Sequence, residues 1–400
     1  MTTRSRKAAV AALLTCALAA PLLGAAPASA SQQAHAQAQY SVPGTRSTSA
    51  LELPRPAGPY PVGRRTLHLV DRHRTDPWVP TAQGRELMVS VSYPARSART
   101  GSPAAYVTAG EARLLLEARG LTGVVPAETL AGTRTHARVD AAPARGRFPL
   151  VVLSPGFGMP RTTLTSLADD LASRGYVVAA VDHAYESVAT EYPGGRIPAC
   201  VACDEVDGPP ALAAVVRGRA DDLSFVIDEL TDHRRAGALA RMIDSRRIGA
   251  AGHSIGGATA AATMATDRRV RAGVDLDGNF FVDDAGAGLG TRPFMMLGAE
   301  NVHSPGGDIT DWDDAWDRLH GWKRWLTVEG AGHFSFTDFP WLADRLGLPE
   351  DPAVPLSAER GWYITRDYVG AFFDLHLRGN PQPLLDGPTA SRPEVDFHRP

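Results

Sequence analysis

Apolar residues occur along this chain in two patterns. Short, nearly continuous apolar runs predict β-strands, and segments in which apolar residues recur every three or four positions predict amphipathic helices. The predicted strands are Thr66–Val70, Leu87–Tyr93, Leu150–Leu153, Tyr176–Val181, Arg247–Ala251, Val270–Leu276, Pro293–Leu297 and Leu326–Val328. The predicted helices lie near Leu164–Ser173, Ala211–Asp232, Ala258–Thr266, Asp311–Leu319 and Tyr363–Leu377. This alternation indicates an α/β fold with a mostly parallel central sheet of about eight strands, flanked by helices.

The same pattern predicts the domain organisation. Runs without polar residues, such as Leu150–Leu153, suit strands that are buried on both faces. The stretch Ala95–Arg147, with one helix-like segment at Ala109–Arg119, is interpreted as an insertion after the second strand. Residues 31–60 are rich in Ser, Gln, Ala and Pro and are predicted to form a flexible leader. Residues 61–400 are predicted to fold as a single domain.

The first thirty residues have the pattern of a secretory signal peptide. Three cations within the first seven residues precede the Ala- and Leu-rich run Ala8–Ala26, and Ala28-Ser29-Ala30 supplies a small-x-small cleavage site. An uncleaved membrane anchor is the alternative, but Pro21 interrupts the run. Cys16 lies in a poor context for a lipoprotein. We therefore expect cleavage near Ala30 and a secreted, extracellular product without stable membrane insertion.

Composition excludes several classes of protein. The chain has 400 residues, of which 44% are hydrophobic, so it can bury a substantial core. The 41 Lys and Arg against 44 Asp and Glu give a net charge of −3, and no basic run occurs after the first seven residues. Nucleic acid is therefore not an expected partner. Removal of residues 1–30 takes away three cations and no acid, which changes the net charge from −3 to −6.

Cleavage would leave two of the three cysteines, Cys200 and Cys203. In an oxidising compartment a local disulfide is the expected state of such a pair. A redox-active pair and half of a metal site are the alternatives. The surrounding Gly and Pro residues predict a loop rather than the strand-to-helix context of a redox pair. Because no second Cys or His pair has ligand spacing, no metal is expected.

A possible nucleophile stands in the sequence Gly252-His253-Ser254-Ile255-Gly256-Gly257. A predicted strand precedes this sequence and a predicted helix follows it, which is the context of a nucleophile elbow. In such an elbow the sharp turn exposes Ser254, and Gly252 and Gly256 lack side chains because neighbouring backbone passes too close. The alternative is a Gly-rich turn without chemistry.

A serine nucleophile needs a base and an acid. His333 follows the last predicted strand through a Gly-containing loop and is the predicted base. The chain order nucleophile, acid, base confines the acid to the interval between Ser254 and His333. Asp277, at the end of the strand Val270–Leu276, is favoured, and Glu300 and Asp275 are the alternatives.

Four further residues are assigned to the predicted site. The backbone amides of Ile255 and Phe157 are the predicted oxyanion-hole donors, because Ile255 follows the nucleophile and Phe157 lies in the loop after Leu150–Leu153. An ordinary strand-to-helix turn is the alternative for that loop. Phe280 and Phe281, just beyond Asp277, are predicted to line the substrate pocket.

The remaining histidines and tryptophans are assigned packing or surface positions. His253, inside the elbow, and His183, after another strand, are predicted to be structural, whereas His303 and His320 are predicted to lie at the surface. Four tryptophans lie within fourteen residues, at Trp312, Trp316, Trp322 and Trp325. Packing against the sheet is favoured for the stripe of Trp312, Trp316 and Leu319, and an acyl pocket or contact with lipid is the alternative.

These motifs together resemble the secreted platelet-activating-factor acetylhydrolases and their bacterial relatives over roughly residues 60–380. The resemblance is carried by Leu153–Gly158, Leu167–Glu186, Gly252–Thr259, Asp275–Gly278, and His333 with Phe336, Asp338 and Phe339. Its specificity lies in the combination, because many esterases and lipases share the elbow alone. The resemblance implies the α/β-hydrolase fold and hydrolysis of short acyl esters, with no cofactor.

The resemblance also bears on the acid and the substrate. In that family the acid stands in a Leu-Asp pair after the nucleophile helix, which Leu276-Asp277 matches. Bacterial cutinases and polyester hydrolases place it one strand later in a Glu-Asn-Asp string, but here Glu300-Asn301-Val302 lacks that carboxylate. The oxyanion loop of the animal enzymes reads His-Gly-x-Gly, whereas here Ser154-Pro155 precedes Gly156, which leaves the substrate open.

The sequence thus predicts a secreted serine carboxylic-ester hydrolase that cleaves short acyl esters, with phospholipids among the candidates. A broad-specificity extracellular lipase or a cutinase-like polyester hydrolase is the alternative within the same class. A binding protein that keeps the fold without catalysis is the alternative from another class. The expected partner is a small-molecule or lipid ester, and contact with a lipid surface is left open.

Overall fold

The computed structural model describes residues 50–282 and 288–398, and these residues contain eleven β-strands in one mixed sheet. The strands are β1 Val62–Asp71, β2 Arg85–Pro94, β3 Pro103–Ala105, β4 Arg134–Val139, β5 Phe148–Ser154, β6 Val177–His183, β7 Ile243–His253, β8 Val270–Leu276, β9 Phe294–Ala299, β10 Lys323–Val328 and β11 Val395–His398. All eight predicted strands are present. The sheet is larger than predicted because β3, β4 and β11 lack continuous apolar runs.

Helices connect the strands. They are α1 Ala109–Ala118, α2 Ala127–Ala131, α3 Thr165–Ser173, α4 Val201–Glu205, α5 Pro209–Thr231, α6 His233–Ala236, α7 Ala238–Met242, α8 Ile255–Thr266, α9 Glu300–His303, α10 Asp311–Arg318, α11 Phe339–Leu346 and α12 Ala358–Arg378. Short 3₁₀ turns span Arg161–Leu164, His333–Phe336 and Pro383–Leu385. The five predicted helices correspond to α3, α5, α8, α10 and α12. None of the described helices is both long and apolar enough to cross a membrane.

The strand order across the sheet is β11-β10-β9-β8-β7-β5-β6-β2-β1-β4-β3. The six strands from β10 to β6 pair in parallel, and β2 joins them antiparallel to β6. At the two edges stand the shortest strands, β3 with three residues and β11 with four. The carboxyl ends of β5, β7, β8 and β10 therefore meet at one edge, where ligand sites of parallel sheets form.

Alternate side chains of the central strands enter two hydrophobic cores. In β5, Val151 and Leu153 pack on one face, and Leu150 and Val152 pack on the other. Helices α3 and α12 cover the first face, and α5, α8 and α10 cover the second. The sheet with helices on both faces has the layout predicted for an α/β-hydrolase fold.

The segment 95–147, predicted as an insertion, adds two strands to the sheet edge. It contains β3, β4, α1 and α2, and β4 pairs in parallel with β1 so that Val62 faces Ala137. A capping box starts α1, because the Thr108 hydroxyl accepts from the Glu111 amide and the Glu111 carboxylate accepts from the Thr108 amide. The segment is thus a folded part of the domain.

The predicted flexible leader extends too far, because residues 51–60 are part of the fold. Leu51 and Leu53 are buried in the first core, and the Leu53 amide donates to the Arg134 carbonyl at 3.0 Å. The Tyr60 amide donates to the Ser173 carbonyl at 2.9 Å. Segments with few large apolar residues can still be ordered when their backbone groups find partners. The predicted signal peptide and the rest of the leader up to residue 49 lie outside the described residues.

Two other predictions concern side chains that stabilise the fold. Cys200 and Cys203 are joined in a disulfide, which is the state that the sequence analysis favoured for this pair. Trp312 and Trp316 are buried in the second core, so the tryptophan stripe has the packing role that its spacing favoured. The indole nitrogen of Trp312 donates to the Gly278 carbonyl at 2.6 Å.

A buried network of charged side chains joins β2 to α5. Arg85 donates twice to the Asp222 carboxylate through Nε, and its two terminal nitrogens reach Asp76 at 3.0 Å and Glu186 at 2.6 Å. Burial opposes the charge of Asp222, but Arg85 and His183 outweigh it and hold the pKa of Asp222 well below its usual range. Asp222 also pairs with Arg74, and Glu186 also pairs with Arg219, so among the described residues Arg85 is the sole cationic partner of Asp76 and a shared partner of the other two carboxylates.

We predict that Arg85→Met destabilises the folded protein by roughly 3–5 kcal/mol, because it leaves the buried Asp76 without its counter-ion and removes one of the cations that Asp222 and Glu186 share. Urea unfolding of the full chain measures the change. Arg113→Met is the matched control, because Arg113 forms an exposed pair with Glu117 at 3.2 Å and its loss should change stability by less than about 0.5 kcal/mol. Equal stability of the two variants would contradict the prediction.

Candidate active site

The turn between β7 and α8 has the geometry of a nucleophile elbow. Ser254 has φ 57° and ψ −129°, a conformation that L-residues rarely adopt. Its amide donates to the Leu276 carbonyl at 2.8 Å, and its carbonyl accepts from the Gly257 amide at 2.8 Å. The side chain of Ser254 is only partly buried. The surrounding backbone thus holds a strained serine at the carboxyl edge of the sheet.

Glycines are required on both sides of this serine. A Cβ on Gly252 would lie 2.2 Å from the Gly256 carbonyl, and a Cβ on Gly256 would lie 2.1 Å from the Ser154 carbonyl oxygen. A Cβ on Gly257 would lie 1.7 Å from Oδ1 of Asp275. The close backbone approach expected from the motif is therefore present in the structure.

Asp277 and His333, the favoured acid and the predicted base, form a hydrogen bond. Asp277 follows β8 with φ 59°, and its Oδ2 accepts from Nδ1 of His333 at 2.6 Å. The other oxygen, Oδ1, accepts from the Ala299 amide at 2.6 Å. Because an ionised carboxylate can only accept a hydrogen bond, Nδ1 of His333 is the donor. His333 is partly open to solvent, with 43% of its side chain exposed.

The electrostatic surroundings keep Asp277 ionised. Burial opposes its charge, but the hydrogen bond from His333, the charges of His303 and His333, and the Ala299 amide together lower the pKa of Asp277. The two alternative acids are placed elsewhere. Asp275 is buried, accepts from the Gly278 amide at 2.8 Å and has a raised pKa because of burial, whereas Glu300 is exposed.

His303 was predicted to lie at the surface, and this prediction is wrong because the side chain is buried. It is only 1% exposed and stacks on Trp312 with ring centroids 4.0 Å apart. Its Nε2 lies 3.6 Å from Oδ1 of Asp277, and burial lowers the pKa of His303. Neither ring nitrogen makes a hydrogen bond within the described residues. No local signal in the sequence revealed this burial, since the stacking partner comes from α10.

His253, predicted to be structural, fixes the loop that carries His333. It is buried, and its Nε2 donates to the His333 backbone carbonyl at 2.7 Å. The two imidazole centroids are 4.6 Å apart. Burial, followed by the charge of His333, lowers the pKa of His253 to about 3. His253 is therefore neutral at physiological pH and joins the elbow to the His333 loop.

The two predicted oxyanion donors have amides available for a ligand. Ile255 is the first residue of α8, so its N–H has no acceptor within the helix. The Phe157 amide makes no hydrogen bond within residues 50–282 and 288–398. The loop around Phe157 is anchored on both sides, because Arg219 donates to the Pro155 carbonyl at 2.7 Å and the Gly158 amide donates to the Glu186 carbonyl at 3.1 Å.

The predicted pocket residues Phe280 and Phe281 are directed to different places. Phe281 packs in an apolar cluster with Phe157, Ile255 and residues of α5, which we call the Phe157 cluster. Phe280 packs against the second core instead, with its ring 6.1 Å from that of Phe294. Only Phe281 therefore lies among the residues that adjoin the nucleophile turn.

The chemistry available at this edge is proton transfer beside a strained hydroxyl. The described residues contain no group of three or more His, Cys, Asp or Glu side chains that could hold a metal ion. What the site does contain is a hydroxyl at an elbow, an imidazole oriented by an ionised carboxylate, and two backbone amides without protein acceptors. Such an arrangement is suited to acyl transfer. The anchoring contacts of Arg219 and His253 could not be inferred from the sequence.

We predict that Gly256→Ala destabilises the protein by more than about 2 kcal/mol, because its methyl group would collide with the Ser154 carbonyl. Gly218→Ala is the matched control. Gly218 also lies inside a helix, α5, but a methyl group there meets nothing within 4 Å. This control should be more stable than the wild type by roughly 0.5–1 kcal/mol. Thermal unfolding measures both, and a neutral Gly256→Ala would contradict the prediction.

Known proteins share this sequence and fold. The family described as platelet-activating factor acetylhydrolase, isoform II, matches residues 45–195 and 223–348. A probable 1-alkyl-2-acetylglycerophosphocholine esterase of Arthroderma benhamiae is 30% identical over 380 residues, covering 87% of this chain and 94% of the relative. The platelet-activating factor acetylhydrolase of Bos taurus is 28% identical over an alignment of 229 residues, and the match covers 50% of this chain and 50% of the relative.

A solved structure extends the likeness to three dimensions. The ferulic acid esterase from Streptomyces cinnamoneus is 48% identical, superposes with a TM-score of 0.76, and is matched over 88% of this chain and 100% of its own. The family match covers more than half of the chain, and the relatives are ester-cleaving enzymes. The chain therefore belongs to the platelet-activating factor acetylhydrolase isoform II family and is a carboxylic ester hydrolase.

Proposed function

We propose that this protein hydrolyses carboxylic esters with Ser254 as the nucleophile, His333 as the general base and Asp277 as the residue that orients the imidazole. The observation that carries the proposal is the 2.6 Å hydrogen bond from His333 Nδ1 to the ionised Asp277, beside a serine in a strained elbow. Nε2 of His333 takes the Ser254 proton as Oγ attacks the ester carbonyl. The proton then passes to the leaving alcohol, and water releases the acid from the acyl-enzyme by the same steps.

The negative charge of the tetrahedral intermediate would be held by the amides of Ile255 and Phe157. Support comes from the absence of a competing acceptor for the Phe157 amide within the described residues. The anchored loop supports it too, because the guanidinium of Arg219 fixes the Pro155 carbonyl and is itself held by Glu186 at 2.6 Å. A fixed donor does not have to reorganise when charge develops, which is the source of its catalytic effect.

The proposed substrates are esters of short acyl groups, with acetyl esters first. The acetyl-ester relatives and the family match favour this class. A second candidate is an ester of an aromatic acid, which the 48% identity to the ferulic acid esterase favours. The Phe157 cluster could pack against either acyl group, since it presents Phe157 and Phe281 beside the nucleophile turn.

We also propose that the protein acts outside the cell. The pattern of residues 1–30 and the disulfide between Cys200 and Cys203 support this, because such bonds persist in oxidising compartments. The chain from Ser31 onward is then the active form.

Ser254→Ala should lower kcat/KM for p-nitrophenyl acetate by roughly 10⁴- to 10⁶-fold while leaving thermal stability close to that of the wild type. Ser245→Ala is the matched control, because Ser245 is an exposed serine at the other end of the same strand. The same assay, run from acetyl to palmitoyl esters and with methyl ferulate, separates the candidates. Preference for acetyl supports the first class, preference for ferulate the second, and preference for palmitoyl a lipase. Unchanged turnover by Ser254→Ala would contradict the proposed mechanism.

The pH profile provides a separate test. Activity should rise with pH from acidic to neutral conditions, because only a neutral imidazole can accept the Ser254 proton. Asp277 has a lowered pKa and stays ionised through this range, and His253, with a pKa of about 3, stays neutral. A flat profile from pH 4 to pH 9 would count against a histidine base.

A further inference from the structure

Helix α1 ends beside the proposed catalytic residues and is followed by Arg119. The Arg119 side chain extends to the loop after His333, where its guanidinium carbon lies 4.3 Å from the ring centroid of Phe334 and 4.2 Å from that of Phe339. One terminal nitrogen lies 3.1 Å from the sulfur of Met159. The segment inserted between β2 and β5 thus brings a cation to the edge of the site.

Phe334 connects this cation to the catalytic residues. Its ring centroid lies 5.3 Å from that of His333 and 5.9 Å from that of His253, the neighbour of Ser254. The positive charge of Arg119 is among the causes that lower the pKa of His253. Arg119 is therefore close enough to the site to act electrostatically on a group bound there.

Arg119 differs from the other half-buried or buried arginines nearby because it has no carboxylate partner within 4 Å in the described part of the chain. Arg64 pairs with Asp169 at 2.6 Å, and Arg219 pairs with Glu186 at 2.6 Å. Burial lowers the pKa of Arg119, and no neighbouring acid opposes that effect. A desolvated cation without a counter-ion is unfavourable, so an anionic ligand at this position would be bound favourably.

The position of Arg119 also indicates which half of an ester it would contact. The histidine that takes the Ser254 proton returns it to the oxygen of the leaving alcohol. The alcohol half must therefore depart on the side of His333, and Arg119 lies against the residue that follows His333. The acyl half stays bonded to Ser254 at that stage.

We propose that Arg119 is a specificity-determining residue that binds an anionic group, a carboxylate or a phosphate, on the alcohol half of the ester. This proposal rests on the ester hydrolysis proposed above. The planar guanidinium can offer two parallel N–H donors to such a group. Stacking on Phe334 and Phe339 holds its plane in place, which reduces the entropy lost when the anion binds.

The test uses acetyl esters that differ mainly in charge. 4-Acetoxybenzoate is compared with the neutral 4-acetoxybenzamide, and 4-acetoxyphenyl phosphate serves as the phosphate arm. We divide kcat/KM for the anionic ester by kcat/KM for the neutral ester. This ratio should be roughly tenfold to a hundredfold lower in Arg119→Gln than in the wild type. Arg119→Lys should recover part of the ratio. In the wild type, kcat/KM for each of the two anionic esters is divided by kcat/KM for 4-acetoxybenzamide. The larger of these two ratios identifies carboxylate or phosphate as the preferred group.

Arg113→Gln is the matched control, because it removes a cation from the exposed side of the same helix. It should leave the ratio and the turnover of both esters unchanged. If Arg119→Gln lowers kcat/KM equally for both esters and leaves the ratio unchanged, Arg119 has a purely structural role and the proposal is overturned.

A binding measurement separates this proposal from the proposed catalytic mechanism. Calorimetry in the Ser254→Ala background, with and without Arg119→Gln, measures the affinity for 4-acetoxybenzoate and 4-acetoxybenzamide without turnover. If 4-acetoxybenzoate binds more tightly than 4-acetoxybenzamide and the difference depends on Arg119, the anion site is supported. This holds even if the wild type cleaves neither ester. Failure of the wild type to cleave either ester would overturn the proposed function but not the anion site. Equal binding of the two compounds would overturn the anion site.

Discussion

The close approach of three backbone segments is the constraint on which the site depends. The ends of β5, β7 and β8 meet so tightly that Gly252, Gly256 and Gly257 have no room for a side chain. This contact holds Ser254 outside ordinary backbone geometry. The same contact brings β8 next to the elbow, so that the residue after β8 can reach the imidazole. The packing of the central strands therefore holds one residue in a strained conformation, which is common at functional sites.

Buried charged side chains position the loop that carries Phe157. Arg219 holds the carbonyl of Pro155 and is paired with Glu186, which in turn contacts Arg85. His183 bridges the Ser154 hydroxyl, at 3.0 Å, and Asp222, at 2.8 Å. The loop that carries Phe157 is thus tied to β2 and α5, elements far from it in sequence. A buried ionic network of this kind adds little net stability but specifies one arrangement of the groups it joins.

Much of this arrangement could be predicted, and the missing parts have physical reasons. The central parallel strands carry continuous apolar runs, and chain order left three candidates for the acid, of which Asp277 contacts His333. Strand β4 escaped prediction because its sequence Arg-Thr-His-Ala-Arg-Val is polar and obtains its place by pairing with β1. The burial of His303 depends on stacking against Trp312, and the position of Arg119 depends on how the inserted segment packs. Such tertiary contacts leave no periodic signal in a sequence.

The two short edge strands have a consequence for the behaviour of the protein in concentrated solution. A long parallel sheet with open edges offers unpaired backbone groups to other chains and promotes aggregation. Here β3 presents only three residues, one of them Pro103, which lacks a donor, and β11 closes the opposite edge with four residues. Few backbone groups are left for intermolecular strand pairing. An eleven-stranded sheet can therefore remain colloidally stable without a partner to cover its margins.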